Sequence, residues 1–252
     1  MEIINDLVIE AGTKPVIIFN PKNKVLEKSK ISIFQGDNVV WEGIFSEKET
    51  DIYLPTPERE FTKYQMEIAH QGKKREIHFT VLQLKKDEPY IICDIDFTIS
   101  ATNVFLYLTE NLLKIEKIYH SREVLHELSK NIKIIYLTGR IIKYANMTKK
   151  WLHMNGYPDG PLISRAYSIP YNLEEFKKNS IENIVKINKN GIGIGDLKSD
   201  ILAYQANNIV AIRIMHPLFS YSKKDNYNLK NNHYIVNSWK GIEKLFNEKK
   251  LV

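Results

Sequence analysis

The spacing of apolar residues changes near residue 86, and this change constrains the fold more than any other feature of the sequence. Before it, apolar and polar residues alternate in short stretches, which is typical of strands with one buried face. After it, short apolar runs alternate with longer stretches of helical period, as in a parallel sheet with crossover helices. The sequence therefore predicts two domains, at residues 1–86 and 87–252.

The first segment contains a series of short strand-like stretches. Turn signals such as Gln35-Gly36-Asp37-Asn38 and Gln71-Gly72-Lys73 separate them, so that neighbouring strands can pair as hairpins. The stretches are residues 7–10, 16–19, 31–34, 39–41, 51–54, 64–68 and 77–82. This density of short strands predicts a small, immunoglobulin-like β-sandwich domain. His, Asp and Glu residues are not grouped there at metal-ligand spacing, so we expect no chemistry in this domain.

The second segment predicts an α/β domain. The predicted strands are residues 90–93, 133–137, 191–194 and 210–214. The predicted helices are residues 121–129, 142–155, 173–187, 199–206 and 241–248. Ligands of open parallel sheets bind beyond the carboxyl ends of the strands. The residues that follow these strands are therefore the candidates for a functional site.

The composition limits the cellular compartments and the kinds of binding partner that we expect. A single cysteine, Cys93, cannot form an internal disulfide, and residues 1–10 lack the basic start of a secretory signal. Apolar runs fall short of the roughly 20 residues that a membrane span needs. We therefore expect a cytoplasmic protein whose membrane contact, if any, is peripheral. The net charge of +6 is compatible with anionic partners, but the scattered lysine pairs favour a solvated surface.

Two carboxylates, Asp94 and Asp96, follow the first strand of the second segment, in the run Asp94-Ile95-Asp96-Phe97-Thr98. Neighbouring carboxylates repel each other, and a buried charge is costly unless it is paired or bound to a metal. A divalent cation with oxygen ligands relieves both costs. This strand end is therefore a candidate metal site.

Polar groups also follow the next two predicted strands. Thr138-Gly139-Arg140 offers a hydroxyl, a flexible backbone and a guanidinium, which together can hold a phosphate. Asp196 follows a later strand, and Asp200 comes four residues after it. Between these strands, Lys177 and Lys178 lie in a predicted helix, and either amine could reach a phosphoryl oxygen.

In this order, the four elements resemble the motifs of the haloacid dehalogenase-like (HAD) phosphohydrolases, over about residues 89–215. The intervening sequence resembles more narrowly the catalytic domain of lipin/LNS2-type phosphatidate phosphatases. Residues 94–99, 157–162 and 200–204 are similar to that family's DIDGTI, proline-glycine-proline and DVxAY segments. Phe176-Lys177 is similar to its Phe-Lys pair, which selects Lys177 over its neighbour as the phosphate-binding amine.

Three features depart from the lipin pattern. Phe97 stands where the family has glycine, and Asp196 stands where lipins commonly have asparagine. Aspartate at the second position restores the acidic pair of the wider superfamily, so the expected metal site is retained. The β-rich first segment does not resemble the lipin amino-terminal region, which leaves the lipid specificity open.

The resemblance implies a HAD-like Rossmannoid parallel sheet flanked by helices and a Mg²⁺-dependent reaction. Asp94 would be the nucleophile that forms an aspartyl-phosphate, and Asp96 the general acid and then base. The implied Mg²⁺ ligands are Asp94, the main-chain carbonyl of Asp96, Asp196 and, directly or through another group, Asp200.

The resemblance also implies a phosphate-binding set. Thr138, Gly139, Arg140 and Lys177 would bind the phosphoryl group, and Thr98 would support the loop geometry. The segments between the motifs are too short for a folded cap domain, so we expect an open site that suits a bulky or membrane-borne substrate. Residues 104–108, close to this site in sequence, fit either a core helix or a contact with lipid.

Three functions follow from these residues. The leading one is a Mg²⁺-dependent phosphatase of phosphatidate or a related lipid phosphate. The same chemistry could act on a soluble or nucleic-acid phosphomonoester, although a nucleic-acid partner is less favoured. The third is a phosphatidate-binding module without turnover. A module of this kind has no need for both an intact nucleophile, Asp94, and an intact acid, Asp96.

Overall fold

A computed structural model describes residues 4–18, 28–45, 51–101, 115–166, 172–215 and 232–251. The chain divides into two compact units, Met1–Lys85 and Lys86–Val252. The first unit contains β-strands, and the second alternates strands with helices.

The described residues of the first unit form two sheets. Its strands are β1 (Leu7–Glu10), β2 (Val16–Ile18), β3 (Lys30–Gln35), β4 (Asn38–Ile44), β5 (Asp51–Tyr53), β6 (Phe61–His70) and β7 (Lys73–Leu84). Five of them form one sheet in the order β1-β7-β6-β3-β4, and β2 pairs with β5. Neighbouring strands are antiparallel, except for the parallel pair of β1 and β7. Each predicted stretch overlaps one of these strands, so the predicted β-rich region is confirmed.

One hydrophobic core lies between the two sheets of the first unit. Ile17 and Ile52 from the small sheet pack in the same buried cluster as Ile33, Met66 and Phe79 from the large one. Along β6, buried residues recur at every second position. This is the period that places one face of a strand against a core and the other towards solvent.

The second unit is built on a six-stranded sheet in the order β10-β9-β8-β11-β12-β13. The strands are β8 (Tyr90–Cys93), β9 (Lys133–Ile141), β10 (Leu162–Arg165), β11 (Gly191–Gly195), β12 (Val210–Ile214) and β13 (His233–Val236). All five pairings between them are parallel. The predicted α/β fold with a HAD-like parallel sheet is confirmed.

Helices alternate with these strands or follow the last of them, in agreement with the predicted helical stretches. They are α1 (Ser121–Leu128), α2 (Ala145–Met154), which follows a short 3-10 turn at Ile142–Tyr144, α3 (Leu173–Ile187), α4 (Lys198–Ala206) and α5 (Trp239–Lys249). Side chains cap two of them: Asn172 Oδ1 accepts the Glu175 N–H at 3.1 Å, and Ser238 Oγ accepts the Gly241 N–H at 3.2 Å. Within the described part of the chain, none of the helices is long and apolar enough to cross a bilayer.

The strand order creates a crevice at the centre of the sheet. From β8 the chain proceeds outward to β9 and β10, and then returns to β11 on the other side of β8. The carboxyl ends of β8 and β11 therefore lie side by side where the winding reverses, which is where open α/β sheets bind ligands. The register pairs Cys93 with Ile194, so Asp94 and Asp196 both emerge at this point.

Candidate active site

The loop after β8 is a tight turn fixed to the neighbouring strand. The Asp94 N–H donates to Ile194 O at 2.9 Å, which joins the start of the loop to β11. Further along, the N–H groups of Ile99 and Ser100 both donate to Ile95 O at 2.9 Å. Phe97 lies within this turn with φ +55°, in the left-handed region that glycine adopts easily. A side chain there costs about 1–2 kcal/mol, which neighbouring contacts have to offset.

Three carboxylates converge at the crevice. One carboxylate oxygen from each of Asp94, Asp196 and Asp200 lies within 4.8 Å of the other two. Burial raises the pKa of Asp94 to about 7; Lys177 opposes this shift, and the charges of Asp200 and Asp96 add to it. Burial, together with repulsion from Asp200 and Asp94, raises the pKa of Asp196 to about 8. The cluster therefore carries more negative charge than its surroundings neutralise.

Lys177 lies between two of these carboxylates. It is buried in the first half of α3, and its Nζ donates to Asp94 Oδ1 at 2.7 Å and to Asp200 Oδ1. Burial alone would lower the pKa of Lys177, but the charges of Asp200 and Asp94 outweigh burial and raise it. The neighbouring Lys178 is exposed. Of the two candidate amines, the structure thus places Lys177 in the crevice.

Asp96 is oriented by Arg140. The Arg140 guanidinium donates to both Asp96 carboxylate oxygens, from Nη2 at 2.7 Å and from Nε at 3.0 and 3.2 Å. It also donates to the hydroxyls of Thr148 and Ser100, each at 3.3 Å. Arg140 is only 2% exposed. The hydrogen bonds described for its side chain are therefore with other side chains of the protein. Its contact with a phosphoryl group stays a prediction.

Thr138 and Gly139 lie beside the same loop. Strand β9 pairs its Tyr136 with Cys93, the last residue of β8. Thr138 comes two residues later in β9 and therefore lies level with the loop that follows β8. Its buried hydroxyl accepts the Arg140 N–H at 3.2 Å. A Cβ atom on Gly139 would lie 2.6 Å from the side chain of Leu173, so a larger residue here would require that side chain to move.

Thr98 lies between the carboxylates of two loops, the one after β8 with Asp94 and the one after β11 with Asp196. Its Oγ1 lies 3.3 Å from Asp94 Oδ2 and 3.4 Å from Asp196 Oδ1. Its carbonyl oxygen accepts the indole N–H of Trp239 at 2.8 Å. On the other loop, Arg213 Nε donates to the carbonyl oxygen of Asp196 at 3.1 Å.

Sequence reasoning missed both Trp239 and Arg213. Trp239 belongs to no motif of the sequence analysis and gave no signal. Arg213 did give a weak one, since it is a charged residue near the end of the otherwise apolar run Val210–Ile214.

Glycines in β11 bring α4 close to the sheet. A Cβ atom on Gly193 would overlap the ring of Tyr204, whose hydroxyl donates to Ile194 O at 3.1 Å. A Cβ atom on Gly195 would lie 2.5 Å from Asp200 Oδ2. The glycines of β11 therefore make room for Asp200 beside the other two carboxylates.

The donors of this site fit a hard divalent cation. Asp94, Asp196 and Asp200 offer oxygen atoms, the ligand type that Mg²⁺ and Ca²⁺ prefer. Among the residues that the structure describes, Lys177 is the one ammonium paired with this group, so negative charge remains there for a cation to neutralise. Residues 104–108, for which a lipid contact was one interpretation, lie outside the described residues.

This fold and this arrangement of carboxylates and lysine define a class, the HAD-type phosphatase domains. Within that class, the chain belongs to the LNS2 (Lipin/Ned1/Smp2) family, whose sequence model matches residues 56–249. The match covers more than half of the chain and includes β6 and β7 of the first unit.

The chain is also similar to solved structures of hydrolases and phosphatases. A D,D-heptose 1,7-bisphosphate phosphatase from B. bronchiseptica, complexed with magnesium and phosphate, has 11% identity and a TM-score of 0.47, covering 64% of this chain and 99% of that one. A haloacid dehalogenase-like hydrolase from Streptococcus pneumoniae has 14% identity and a TM-score of 0.48, covering 63% and 98%. A putative phosphatase from Clostridium difficile has 12% identity and a TM-score of 0.48, covering 64% and 99%. Among curated proteins, no match is found.

Proposed function

We propose that this protein is a Mg²⁺-dependent phosphomonoester hydrolase that forms an aspartyl-phosphate on Asp94 and acts on phosphatidate or a related lipid phosphate. The observation that supports the chemistry is the convergence of Asp94, Asp196 and Asp200 around Lys177 at the reversal point of the sheet. Membership of the LNS2 (Lipin/Ned1/Smp2) family supports the lipid substrate.

In the first step, a carboxylate oxygen of Asp94 attacks the phosphorus atom in line with the ester oxygen. The new P–O bond makes an aspartyl-phosphate while the bond to the ester oxygen breaks. Lys177 Nζ, which already lies 2.7 Å from Asp94 Oδ1, would stabilise negative charge on the transferred phosphoryl oxygens. The Thr138 hydroxyl would donate a hydrogen bond to the same oxygens.

Asp96 would move the protons of both steps. It gives a proton to the departing alkoxide, and then takes one from the water whose oxygen attacks the aspartyl-phosphate. That second attack releases inorganic phosphate and restores the Asp94 carboxylate. Arg140 holds the Asp96 carboxylate by both oxygens, which would keep it in one orientation for both transfers.

Mg²⁺ would be bound by the carboxylates of Asp94 and Asp196 and by the main-chain carbonyl of Asp96. When bound, it supplies charge neutralisation at the phosphoryl oxygens. Asp200 is fully buried and bridges two groups, since it accepts hydrogen bonds from Lys177 Nζ and from the Leu197 N–H at 3.1 Å. We therefore assign Asp200 a supporting role, in which it positions Lys177 and the loop after β11.

The test is phosphate release in the presence of Mg²⁺ or EDTA. It compares phosphatidate vesicles, a soluble phosphomonoester and a 3′-phosphorylated oligonucleotide. Asp94→Asn removes the nucleophile and should lower release by at least about 10³-fold. Asp87→Asn, the same isosteric change at an exposed residue, is the matched control and should be as active as the unmodified protein.

The outcomes separate the candidate functions. Metal-dependent release from phosphatidate that Asp94→Asn abolishes would support the proposal. Faster release from the soluble ester or the oligonucleotide would keep the chemistry and replace the lipid substrate. Vesicle binding without release from any substrate would overturn the enzyme and favour a phosphatidate-binding module.

A further inference from the structure

We propose that Trp239 is a positioning residue for this site: its indole N–H holds the loop of Asp94 and Thr98 at the spacing from Asp196 that metal binding requires. The inference rests on the proposed function, because it concerns the same carboxylates. Trp239 is the first residue of α5, and it lies far along the chain from every motif that the sequence analysis singled out.

The contact is direct and fully buried. Trp239 and Thr98 are both 0% exposed, and the indole Nε1 donates to the Thr98 carbonyl at 2.8 Å. The hydroxyl of the same threonine lies 3.3 Å from Asp94 Oδ2 and 3.4 Å from Asp196 Oδ1. A shift of Thr98 would therefore change the separation of the two carboxylates that we propose as metal ligands.

The loop needs such a restraint because its backbone is strained. Phe97, directly before Thr98, has φ +55° without being glycine. The Thr98 N–H donates within the turn to Ile95 O, but at the long distance of 3.3 Å. A residue in the left-handed region persists only when surrounding contacts hold it there. The hydrogen bond from Trp239 is one of these contacts, and it approaches from outside the loop.

Trp151 provides a matched control in the same unit. It is 1% exposed, and its Nε1 donates to the carbonyl of Ile115 at 3.0 Å. Ile115 is not one of the proposed site residues. Replacing either tryptophan by phenylalanine keeps an aromatic ring and removes one buried N–H donor. The two variants thus lose the same kind of hydrogen bond, and only one of these bonds reaches the acidic loop.

The experiment compares Trp239→Phe and Trp151→Phe with the unmodified protein. Phosphate release is measured against Mg²⁺ concentration, and the rise in Tm on adding Mg²⁺ is measured without substrate. We expect Trp239→Phe to raise the half-saturating Mg²⁺ concentration and to lower kcat, each by about 10-fold, because small misplacements of catalytic groups are costly. Its Mg²⁺-dependent gain in Tm should shrink. Trp151→Phe should lower the starting Tm but keep Mg²⁺ affinity, kcat and the gain.

Equal effects of the two variants on Mg²⁺ affinity would overturn the inference, because both would then act through general packing. If Trp239→Phe does not fold, a second measurement uses the Trp41→Phe/Trp151→Phe variant. The chain has three tryptophans, so Trp239 is the one that remains in this variant. Mg²⁺ should change its fluorescence, and constant fluorescence would overturn the inference. If the unmodified protein releases no phosphate, the proposed function fails, while the Tm comparison still decides the role of Trp239.

Discussion

The two units each bury an aspartate to the same extent, and the two aspartates have different surroundings. Asp6 of the first unit and Asp94 of the second are both 3% exposed. Asp6 accepts the Thr80 N–H at 2.7 Å and thereby ties the start of the chain to β7. Asp94 instead faces two further carboxylates and one lysine. Burial of a carboxylate therefore does not by itself indicate a functional site, whereas burial beside like charges does.

The ion pairs of the two units differ in how far their side chains are exposed to solvent. Lys30 and Glu42 of the first unit form a pair at 2.8 Å, but about half of each side chain is exposed, at 58% and 49%. Lys177 and its two carboxylate partners are almost fully enclosed, with at most 4% of any of these side chains exposed. Water screens the first pair, and nothing comparable screens the second.

The largest expected effect is that of Lys177→Met. Removal of this lysine leaves Asp94 and Asp200 buried without their shared cation, which should cost about 3–5 kcal/mol of unfolding free energy and abolish phosphate release. Lys30→Met, the same substitution in the exposed pair, should change stability by less than about 1 kcal/mol. Urea denaturation of both variants measures the difference. Equal losses would contradict the contrast between the two units.

A second prediction concerns pH. The folded-state pKa values of about 7 for Asp94 and about 8 for Asp196 lie above the ordinary value of 3.8. The unfolded chain therefore releases these protons first as pH rises, and the folded state is the one that binds more protons. Without metal, the unfolding free energy should therefore fall as pH rises from about 4 to about 8.

Mg²⁺ should reverse this loss, because it binds the deprotonated carboxylates. The gain in Tm on adding Mg²⁺ should accordingly be larger at pH 8 than at pH 6. Thermal unfolding with Mg²⁺ or EDTA at both values measures it. A gain that does not depend on pH would mean that protons and metal do not compete for the same groups.

The smallest effect is expected in the first unit. Asp6→Ala removes the acceptor of the Thr80 N–H, which should cost about 1–3 kcal/mol because a buried donor loses its partner. The kcat for phosphate release should be unchanged, since Asp6 belongs to the other unit. A matching fall in kcat, measured well below the Tm, would show that the first unit takes part in the reaction.

Much of the second unit could be predicted from local sequence. The continuous apolar run Tyr90–Cys93 indicates a central parallel strand, and the carboxylates directly after it fall at the sheet edge as expected. The choice between Lys177 and Lys178 did not follow from spacing, because both amines lie in one helix. The family resemblance selected the first, and the structure places it beside Asp94.

Other features could not be predicted, for identifiable reasons. Strand β13 has only four residues, of which three are half-buried and Ile235 is exposed, so it lacks the continuous apolar run that marked the inner strands. Gly193 and Gly195 make room for Tyr204 and Asp200, and this role depends on how closely α4 packs against the sheet. The contact of Trp239 depends on the order of the strands, which no local pattern encodes.

The hydrogen bond from Trp239 to Thr98 joins residues that are 141 positions apart in the chain. During synthesis, the loop of Asp94 therefore leaves the ribosome well before Asp196, Asp200 and the start of α5. Closing a loop of this length costs chain entropy before the contact can stabilise the fold. A nascent chain thus presents Asp94 without its partner carboxylates, and the site cannot be completed until Asp196, Asp200 and Trp239 have been synthesised.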